Sequence, residues 1–263
     1  MPNRLWNEWL GRAATRRLKQ RIVPHLRWNQ EVWGETVLQH LDQRLDQPLR
    51  WLDAGCGWRL LGKDLEPLED RLVSRARIVV GVDLDFAHLR KHLDISRRAR
   101  ASLDVLPFGD ASFDLITCNM VCEHLPDPVP VFRELSRVLA PGGCLMVHTP
   151  NTRNYLVLAN LVAKKFLPRS IIIKLIRDGR AGEDIYPTFY RANNQRTLRE
   201  LASRVDLQPE FVRLLTQPQP YTRFFAPAAL FELMLMRATM TPPFDRFGAT
   251  IMMGFRKPLR PPA

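Results

Sequence analysis

Short apolar runs alternate with amphipathic helical patterns between residues 50 and 143. Four of the runs have the length and apolar character of β-strands, at residues 50–53, 77–83, 113–118 and 144–149. Between them, residues 86–93 and 130–139 place apolar side chains on one helical face, and Pro141-Gly142-Gly143 is expected to end the second helix. This alternation predicts consecutive βαβ units around a mostly parallel sheet.

The chain after residue 151 follows a different pattern. Residues up to about 180 are mostly apolar and basic, and a helical pattern after residue 190 is expected to return the chain to the sheet. Residues 249–257 form the last apolar run, which we expect to be an antiparallel strand at the edge of the sheet. Residues 153–190 are predicted to be a helical cap inserted after the fifth strand.

The net charge of +12 is concentrated in two segments. Residues 1–28 contain seven Arg or Lys and one acidic residue, and residues 151–180 contain the same numbers. The rest of the chain is balanced, so the excess belongs to these two segments. Because their basic residues accompany large apolar ones, the segments suit either an anionic membrane surface or an apolar cover over the active site.

The remaining composition is that of a folded protein, with 46% hydrophobic and 25% charged residues. The cysteines lie in apolar runs without the paired spacing of a metal site, which predicts reduced, buried thiols: Cys56, Cys118, Cys122 and Cys144. No signal peptide and no long apolar run without a charge is visible. We therefore expect a cytoplasmic protein that does not span a membrane.

A glycine turn follows the first predicted strand, in WLDAGCGWRLLG. The strand ends in Asp53 and opens directly into Gly55-Cys56-Gly57, where glycine allows a ligand to lie against the backbone. A dinucleotide fingerprint of the G-x-G-x-x-G type would need glycine where Leu60 stands. A nicotinamide or flavin cofactor is therefore disfavoured.

The second strand ends in an acidic residue, Asp83, within VVGVDLDF. In a parallel sheet this places the carboxylate beside the glycine turn, at the strand ends where ligands bind. A carboxylate there can accept two hydrogen bonds from a ribose diol. Leu84 and Phe86 follow as apolar surfaces against which a purine can lie.

A third motif runs from Leu106 to Asn151, LPFGDASFDLITCNMVCEHLPDPVPVFRELSRVLAPGGCLMVHTPN. Together with LDAGCG and GVDLD, this run resembles the class I S-adenosylmethionine-dependent methyltransferases, especially the small-molecule branch that includes quinone-biosynthesis enzymes. The resemblance covers roughly residues 50–151. It implies an α/β, Rossmann-like fold with a mostly parallel seven-stranded sheet, helices on both faces, and S-adenosyl-L-methionine as cofactor.

The resemblance also implies a set of cofactor-binding residues on the loops after the strands: Asp53, Gly55, Cys56, Gly57, Asp83, Leu84, Ser102, Leu103 and Asn119. The turn at residues 53–57 would hold the methionine part of the cofactor, and Asp83 its ribose hydroxyls. Leu84 and Leu103 would contact the adenine, and Asn119 would border the methionyl and substrate pocket.

Three positions depart from the family pattern. Arg59 replaces a frequent third glycine, so either the next helix starts later or the cofactor carboxylate gains a cation. Ser102 replaces an acidic residue that binds the adenine amine in many relatives. Met120 stands where some quinone methyltransferases that resemble this chain carry a metal-binding carboxylate, so we predict no metal.

The predicted reaction is methyl transfer to an oxygen of a small hydroxylated or lipid-like acceptor. Alignment of acceptor and cofactor would supply much of the rate, and a hydroxyl acceptor gains from a base. His124, expected at the start of the helix after the fourth strand, is the first candidate base, and His148 is the second. His124 can also serve as a helix cap. Tyr186 and Tyr190 either line the substrate pocket or pack against the body.

We divide the chain into four parts. Residues 1–45 are a basic amphipathic N-terminal helical extension, 46–152 the cofactor-binding core, 153–190 the cap, and 191–263 the remainder of the core with its C-terminal edge strand. The basic segments allow peripheral contact with the inner, anionic membrane surface. Two alternatives remain at this point, an RNA methyltransferase and a non-catalytic S-adenosylmethionine-binding protein. Nucleic acid is disfavoured because the cap lacks stacking aromatic residues.

Overall fold

The structure is a computed structural model that describes residues 21–43, 47–62, 64–155, 157–158, 186–216 and 226–259. Residues 1–20 of the predicted N-terminal extension lie outside the described residues, as does most of the cap predicted at 153–190. Within the described part of the chain, no helix is both long enough and apolar enough to cross a membrane.

One sheet organises the described chain. Its seven strands are β1 (Arg50–Ala54), β2 (Ile78–Asp83), β3 (Arg97–Arg100), β4 (Phe113–Asn119), β5 (Leu139–Pro150), β6 (Gln208–Leu215) and β7 (Thr250–Arg256). They lie in the order β3-β2-β1-β4-β5-β7-β6, and all neighbours are parallel except β7, which is antiparallel to both β5 and β6. This arrangement confirms the predicted seven-stranded, mostly parallel sheet.

Six α-helices accompany the strands in the described residues: α1 (Asn29–Asp42), α2 (Glu66–Arg75), α3 (Phe86–Lys91), α4 (Pro128–Val138), α5 (Gln195–Ser203) and α6 (Ala226–Ala238). Two apolar cores lie on opposite faces of the sheet. One core includes apolar side chains of α4 and α5, and the other includes those of α1, α2 and α3. Helices therefore cover both faces, as expected.

The four strands predicted from apolar runs are all present, but β3 was not foreseen. Its sequence is Arg-Arg-Ala-Arg and three of its four residues are exposed, so no apolar run marks it. β3 pairs in parallel with β2, and Arg98 Nη1 donates to the carbonyl oxygens of Leu89 and His92 at 2.6 and 3.0 Å. Backbone pairing and these side-chain bonds, rather than hydrophobic burial, hold this edge strand.

Two sequence predictions about element positions were wrong. The strand at the C-terminus, β7, is antiparallel but not at the edge, because the half-exposed β6 pairs along its outer side. β7 is buried on both faces, which suits an interior strand. In addition, α4 ends at Val138, and Pro141-Gly142-Gly143 lies within the bounds of β5 rather than after the helix. Gly142 accommodates this with a φ of 75°.

Candidate active site

The glycine turn directly after β1 has two residues whose backbone lies in the left-handed region. Gly55 has a φ of 76° and Gly57 a φ of 56°. The N–H of Gly55 donates to Val82 O at 2.7 Å, which ties the turn to the end of β2. A Cβ at Gly55 would lie 2.5 Å from Cγ2 of Val121, whereas a Cβ at Gly57 would meet no atom within 4 Å. Gly57 therefore borders open space at the carboxyl ends of the strands.

Cys56 lies between these glycines, but its side chain is directed into the protein. Its thiol is buried and lies close to Gly81 of β2, where a Cβ would come within 2.8 Å of the sulfur. Burial raises the pKa of this thiol well above its ordinary value. Only the backbone of Cys56 is placed to contribute to the turn.

Asp83 is joined directly to the glycine turn. One carboxylate oxygen accepts from the N–H of Gly57 at 2.8 Å, and the other accepts from the N–H of Asp85 at 2.8 Å. Each oxygen retains acceptor capacity, so the group can also receive hydrogen bonds from a diol. The next residue, Leu84, is 62% exposed and Phe86 is 57% exposed, which leaves apolar surface beside the carboxylate.

The predicted adenine edge lies next to Asp83. The N–H of Ala101 donates to the carbonyl oxygen of Asp83 at 3.2 Å, which brings the following two residues beside it. Ser102 is half-buried and Leu103 is buried in the core on the α4 side of the sheet. The structure thus gathers the turn at 53–57, Asp83 and this pair along one edge.

Asp53 is a buried carboxyl at the end of β1. Thr117 Oγ1 of the neighbouring strand donates to Asp53 Oδ1 at 2.6 Å, and Trp51 Nε1 donates to the same hydroxyl at 2.7 Å. Burial first, and then the charges of Asp83 and Asp94, raise the pKa of Asp53 to about 7. A cation bound here would relieve this repulsion, so the site fits a ligand with positive charge.

Arg59 replaces the third glycine of the family pattern, and its contacts show how the chain differs there. Its guanidinium lies 2.8 Å from Glu66 Oε1 and 3.5 Å from Glu69 Oε2, both on α2. The helix after the turn begins only at Glu66, so its start is shifted, and Arg59 fastens the intervening loop to it. The sequence also did not reveal that Asp94 accepts from Leu60 N at 3.2 Å, which holds the same loop from the other side.

Asn119, at the end of β4, contacts α1. Its carboxamide donates to Gln30 Oε1 at 2.8 Å and to Leu60 O at 3.2 Å, while its oxygen accepts from Gln30 Nε2 at 3.2 Å. The amide is thus directed toward α1 and the loop after the glycine turn. Gln30 carries no sequence motif, and only the docking of α1 on the strand ends reveals its role.

His148, the second candidate base, is fully buried within β5. Its Nδ1 lies 2.9 Å from Asn119 Oδ1 and its Nε2 lies 3.1 Å from Thr250 Oγ1, while its ring stacks on Trp33 at 5.4 Å between centroids. Burial lowers the pKa of His148 to about 3, so the ring is neutral. Enclosed in this way, it serves the packing of α1 on the sheet and is unsuited to accept a proton from a substrate.

His124 lies at the open edge of the same strand ends. It does not start α4 as predicted, because Cys122–His124 forms a 3-10 turn and α4 begins at Pro128. Asp127 caps that helix, accepting from Val129 N at 3.0 Å. His124 is therefore not the helix cap, and its ring is held by other contacts.

Those contacts determine the tautomer of His124. Nδ1 lies 2.8 Å from Pro187 O, and a carbonyl oxygen only accepts, so Nδ1 carries the proton. Nε2 of the neutral ring is then the acceptor. It lies 3.9 Å from Oε1 of Glu123, a buried carboxyl whose pKa is raised by burial.

Tyr186 and Tyr190 both reach this edge. The Tyr186 hydroxyl donates to Asp85 Oδ2 at 2.6 Å, and its ring lies edge-on to that of His124 at 5.9 Å between centroids. The backbone N–H of Tyr190 donates to Glu123 O at 3.2 Å. Tyr186 therefore borders the site instead of packing into the core.

No group of three or more His, Cys, Asp or Glu suited to a metal ion is present among the described residues. Met120, at the position that suggested this outcome, is partly exposed in a left-handed turn with a φ of 58°. The expectation of a metal-free site remains a prediction.

Comparison with known proteins identifies the domain. The family described as methyltransferase domain matches residues 52–147, which include β2, β3, β4 and α4 and parts of β1 and β5. Residues 52–147 are similar to a methyltransferase domain. This match confirms the resemblance drawn from the motifs.

Curated relatives of this methyltransferase domain match only part of the chain. A ubiquinone biosynthesis O-methyltransferase of Xanthomonas oryzae is 32% identical over 116 residues, 43% of this chain and 48% of that protein. A probable S-adenosylmethionine-dependent methyltransferase of Mycobacterium tuberculosis is 41% identical over 103 residues, 38% and 35% of the two chains. A malonyl-[acyl-carrier protein] O-methyltransferase of Legionella pneumophila is 36% identical over 122 residues, 44% and 41%. The match thus spans less than half the length of these relatives.

Solved methyltransferase structures share the fold over a larger part of the chain. An S-adenosylmethionine-dependent methyltransferase from Methanosarcina mazei aligns with a TM-score of 0.53 and 17% identity, covering 84% of this chain and 98% of that one. One from Mesorhizobium loti aligns with a TM-score of 0.51 and 19% identity, covering 84% and 96%. These likenesses confirm the Rossmann-like class I methyltransferase fold.

Proposed function

We propose that this chain is an S-adenosylmethionine-dependent methyltransferase that methylates an oxygen atom of a small hydroxylated or lipid-like acceptor. The observation that carries the proposal is the position of His124, whose Nε2 is the acceptor nitrogen of a ring held at the strand ends that also carry the glycine turn and Asp83. A base and a cofactor cleft at one edge are what transfer to a hydroxyl requires.

In this proposal, different residues of the cleft bind different parts of the cofactor. The turn at residues 53–57 receives the methionine part, where the carboxyl of Asp53 complements positive charge. Asp83 binds the ribose hydroxyls and the exposed Leu84 contacts the adenine, while Leu103, whose side chain is buried in the core, borders this side of the cleft. The cofactor supplies an electrophilic methyl group on a sulfonium, so no covalent intermediate on the protein is needed.

The role of His124 follows from its hydrogen bonds. Pro187 O fixes the ring and keeps the proton on Nδ1, so Nε2 can accept the proton of an acceptor hydroxyl as its oxygen bonds to the methyl group. The nearby carboxyl of Glu123 can stabilise the resulting imidazolium. A bound cofactor would give up its methyl group with the electron pair of the C–S bond remaining on sulfur, while His124 takes the hydroxyl proton.

An apolar acceptor is supported by the exposed face of α6. Leu230, Phe231, Met234 and Arg237 are exposed and share this face at helical spacing. Apolar side chains with a basic residue suit the interface of an anionic membrane, and the two basic segments of the sequence have the same character. We therefore include peripheral membrane contact in the proposal.

The curated relatives named as O-methyltransferases support oxygen as the acceptor atom.

Two measurements test the function in sequence. Calorimetric titration with S-adenosylmethionine and S-adenosylhomocysteine should show saturable binding that Asp83→Ala weakens at least tenfold. Incubation of lipid and small-molecule extracts with radiolabelled cofactor should then yield a labelled product. His124→Gln should lower its formation by about a hundredfold without changing cofactor affinity.

The alternatives give different results. An RNA methyltransferase would place the label in ribonuclease-sensitive material. A non-catalytic binding protein would bind the cofactor and label nothing in any extract. Absence of binding by folded wild-type protein would contradict the proposal itself.

A further inference from the structure

A short segment, residues 186–190, crosses the open edge of the sheet, and we call it the strap. At one end, Tyr186 contacts Asp85 and His88 after β2. At the other, the N–H groups of Phe189 and Tyr190 donate to the carbonyl oxygen of Glu123, after β4, at 2.7 and 3.2 Å. Because β1 lies between β2 and β4 in the sheet, a segment that joins these two anchors spans the part of the edge at which β1 ends.

The anchor at Tyr186 is a short hydrogen bond to a carboxylate. The hydroxyl lies 2.6 Å from Asp85 Oδ2, while Asp85 Oδ1 caps α3 by accepting from Ala87 N and His88 N. The hydrogen bond from Tyr186 is the largest influence lowering the pKa of Asp85. The two oxygens of one carboxylate thus hold the helix start and the strap.

Further hydrogen bonds connect this anchor to the cofactor cleft. The N–H of Asp85 donates to Asp83 Oδ1, and Gly57 N donates to Asp83 Oδ2, both at 2.8 Å. Hydrogen bonds therefore connect the strap, the residue assigned to the ribose and the glycine turn. In the other direction, Pro187 O orients His124. The strap contacts both halves of the proposed reaction site.

Core packing does not account for Tyr186. Tyr186 is 41% exposed. Its ring lies edge-on to the rings of His88 and His124, at 6.1 and 5.9 Å between centroids. Fixing an exposed tyrosine in this way costs conformational entropy without much burial in return. The hydrogen bond to Asp85 and the two ring contacts, rather than burial, therefore hold Tyr186 in place.

We propose that Tyr186 is a positioning residue that fastens the strap over the ribose side of the cofactor cleft and so slows cofactor dissociation. This inference rests on the proposed function, because it assigns the ribose to Asp83. Its effect is on retention of the cofactor, whereas His124 acts on the acceptor. Loss of the hydroxyl should therefore change cofactor affinity and leave the chemical step nearly intact.

The test compares Tyr186→Phe with wild type by calorimetry and stopped-flow dissociation of S-adenosylhomocysteine. We expect the Kd and the dissociation rate to rise about tenfold, with kcat within twofold, since one hydrogen bond to a charged group is lost. Leu259→Ala, an exposed residue against Gly142 at the opposite edge of the sheet, is the control and should bind as wild type does. Urea unfolding should show a cooperative transition for all three proteins, which establishes that each variant is folded.

A double-mutant cycle separates the specific bond from a general effect. Asp85→Ser keeps an N-cap oxygen for α3 but removes the acceptor of the Tyr186 hydroxyl. The double variant should bind no more weakly than the weaker single variant. Hydrogen exchange of the Phe189 and Tyr190 amides should slow when S-adenosylhomocysteine binds wild type, and slow less in Tyr186→Phe.

The outcomes distinguish this inference from the function on which it rests. If wild type binds the cofactor and Tyr186→Phe binds equally tightly with the same dissociation rate, the role of Tyr186 is wrong while the proposed function stands. Additive effects in the cycle would also overturn it. If folded wild type binds no cofactor, the proposed function fails, and the inference fails with it.

Discussion

Gly55 and Gly57 allow a direct test of the difference between a glycine required by packing and one required by a ligand. Both have positive φ, 76° and 56°, so replacing either with alanine places a side chain in the left-handed region. That conformation costs an L-residue about 1–2 kcal/mol. The backbone penalty is therefore the same for Gly55→Ala and Gly57→Ala, and any difference arises from what the new methyl group meets.

At Gly55 the methyl group meets the protein. Its position lies 2.5 Å from Val121 Cγ2 and 3.1 Å from Cγ1, so Val121 must shift. Overpacking of this kind adds about 1–3 kcal/mol, which gives a total loss of about 2–5 kcal/mol in the free energy of unfolding. At Gly57 nothing lies within 4 Å, so the loss should stay at about 1–2 kcal/mol.

Cofactor binding should show the opposite order of effects. The methyl group of Gly57→Ala enters the space where the cofactor would approach the backbone, and we expect its Kd for S-adenosylhomocysteine to rise at least tenfold. Urea denaturation of the ligand-free proteins and calorimetric titration measure the two quantities. The reasoning is refuted if Gly57→Ala is as unstable as Gly55→Ala, or if it binds the cofactor as tightly as wild type.

Three further predictions concern other parts of the site. Burial raises the pKa of Asp53 to about 7, which is above its value in the unfolded chain. The contribution of Asp53 to stability is therefore full at low pH and is lost as the pH rises from about 4 to 7. Asp53→Asn should flatten that decline in urea titrations of ligand-free protein. Gln30→Ala removes the amide pair with Asn119 and should lower the free energy of unfolding by about 1 kcal/mol, and an unchanged urea midpoint would contradict this. Phe231→Ser combined with Met234→Ser should reduce co-sedimentation with anionic vesicles severalfold without changing cofactor affinity, and equal co-sedimentation would argue against membrane contact through α6.

Much of the site follows from the order of residues along the chain. Asp53, the glycines and Asp83 stand at the ends of apolar strands, and parallel strands must bring their carboxyl ends to one edge. Hydrophobic periodicity thus predicts that these groups lie together. The same logic could not find β3, because its polar sequence pairs through the backbone and leaves no periodic pattern.

The choice between the two histidines depended on the tertiary structure. His124 follows β4 and His148 lies near the end of β5, so the sequence alone could not exclude either histidine. Burial of His148 and its bonds to Asn119 and Thr250 exclude it from the open site. The contact between His124 and Pro187, 63 residues later, sets the tautomer, and no local pattern encodes such a distant pairing.

By itself, the amino-acid sequence determined the class of fold and the residues of the glycine turn, because strand periodicity and turn chemistry are local properties. The cofactor came from the resemblance of these motifs to the methyltransferases. Only the tertiary structure decided that β7 is interior, that Arg59 fastens the loop to α2, and that Gln30 and Tyr186 reach the site. These features depend on contacts between residues far apart in the chain. Such contacts are selected by packing and by the pairing of buried polar groups, which no single segment specifies.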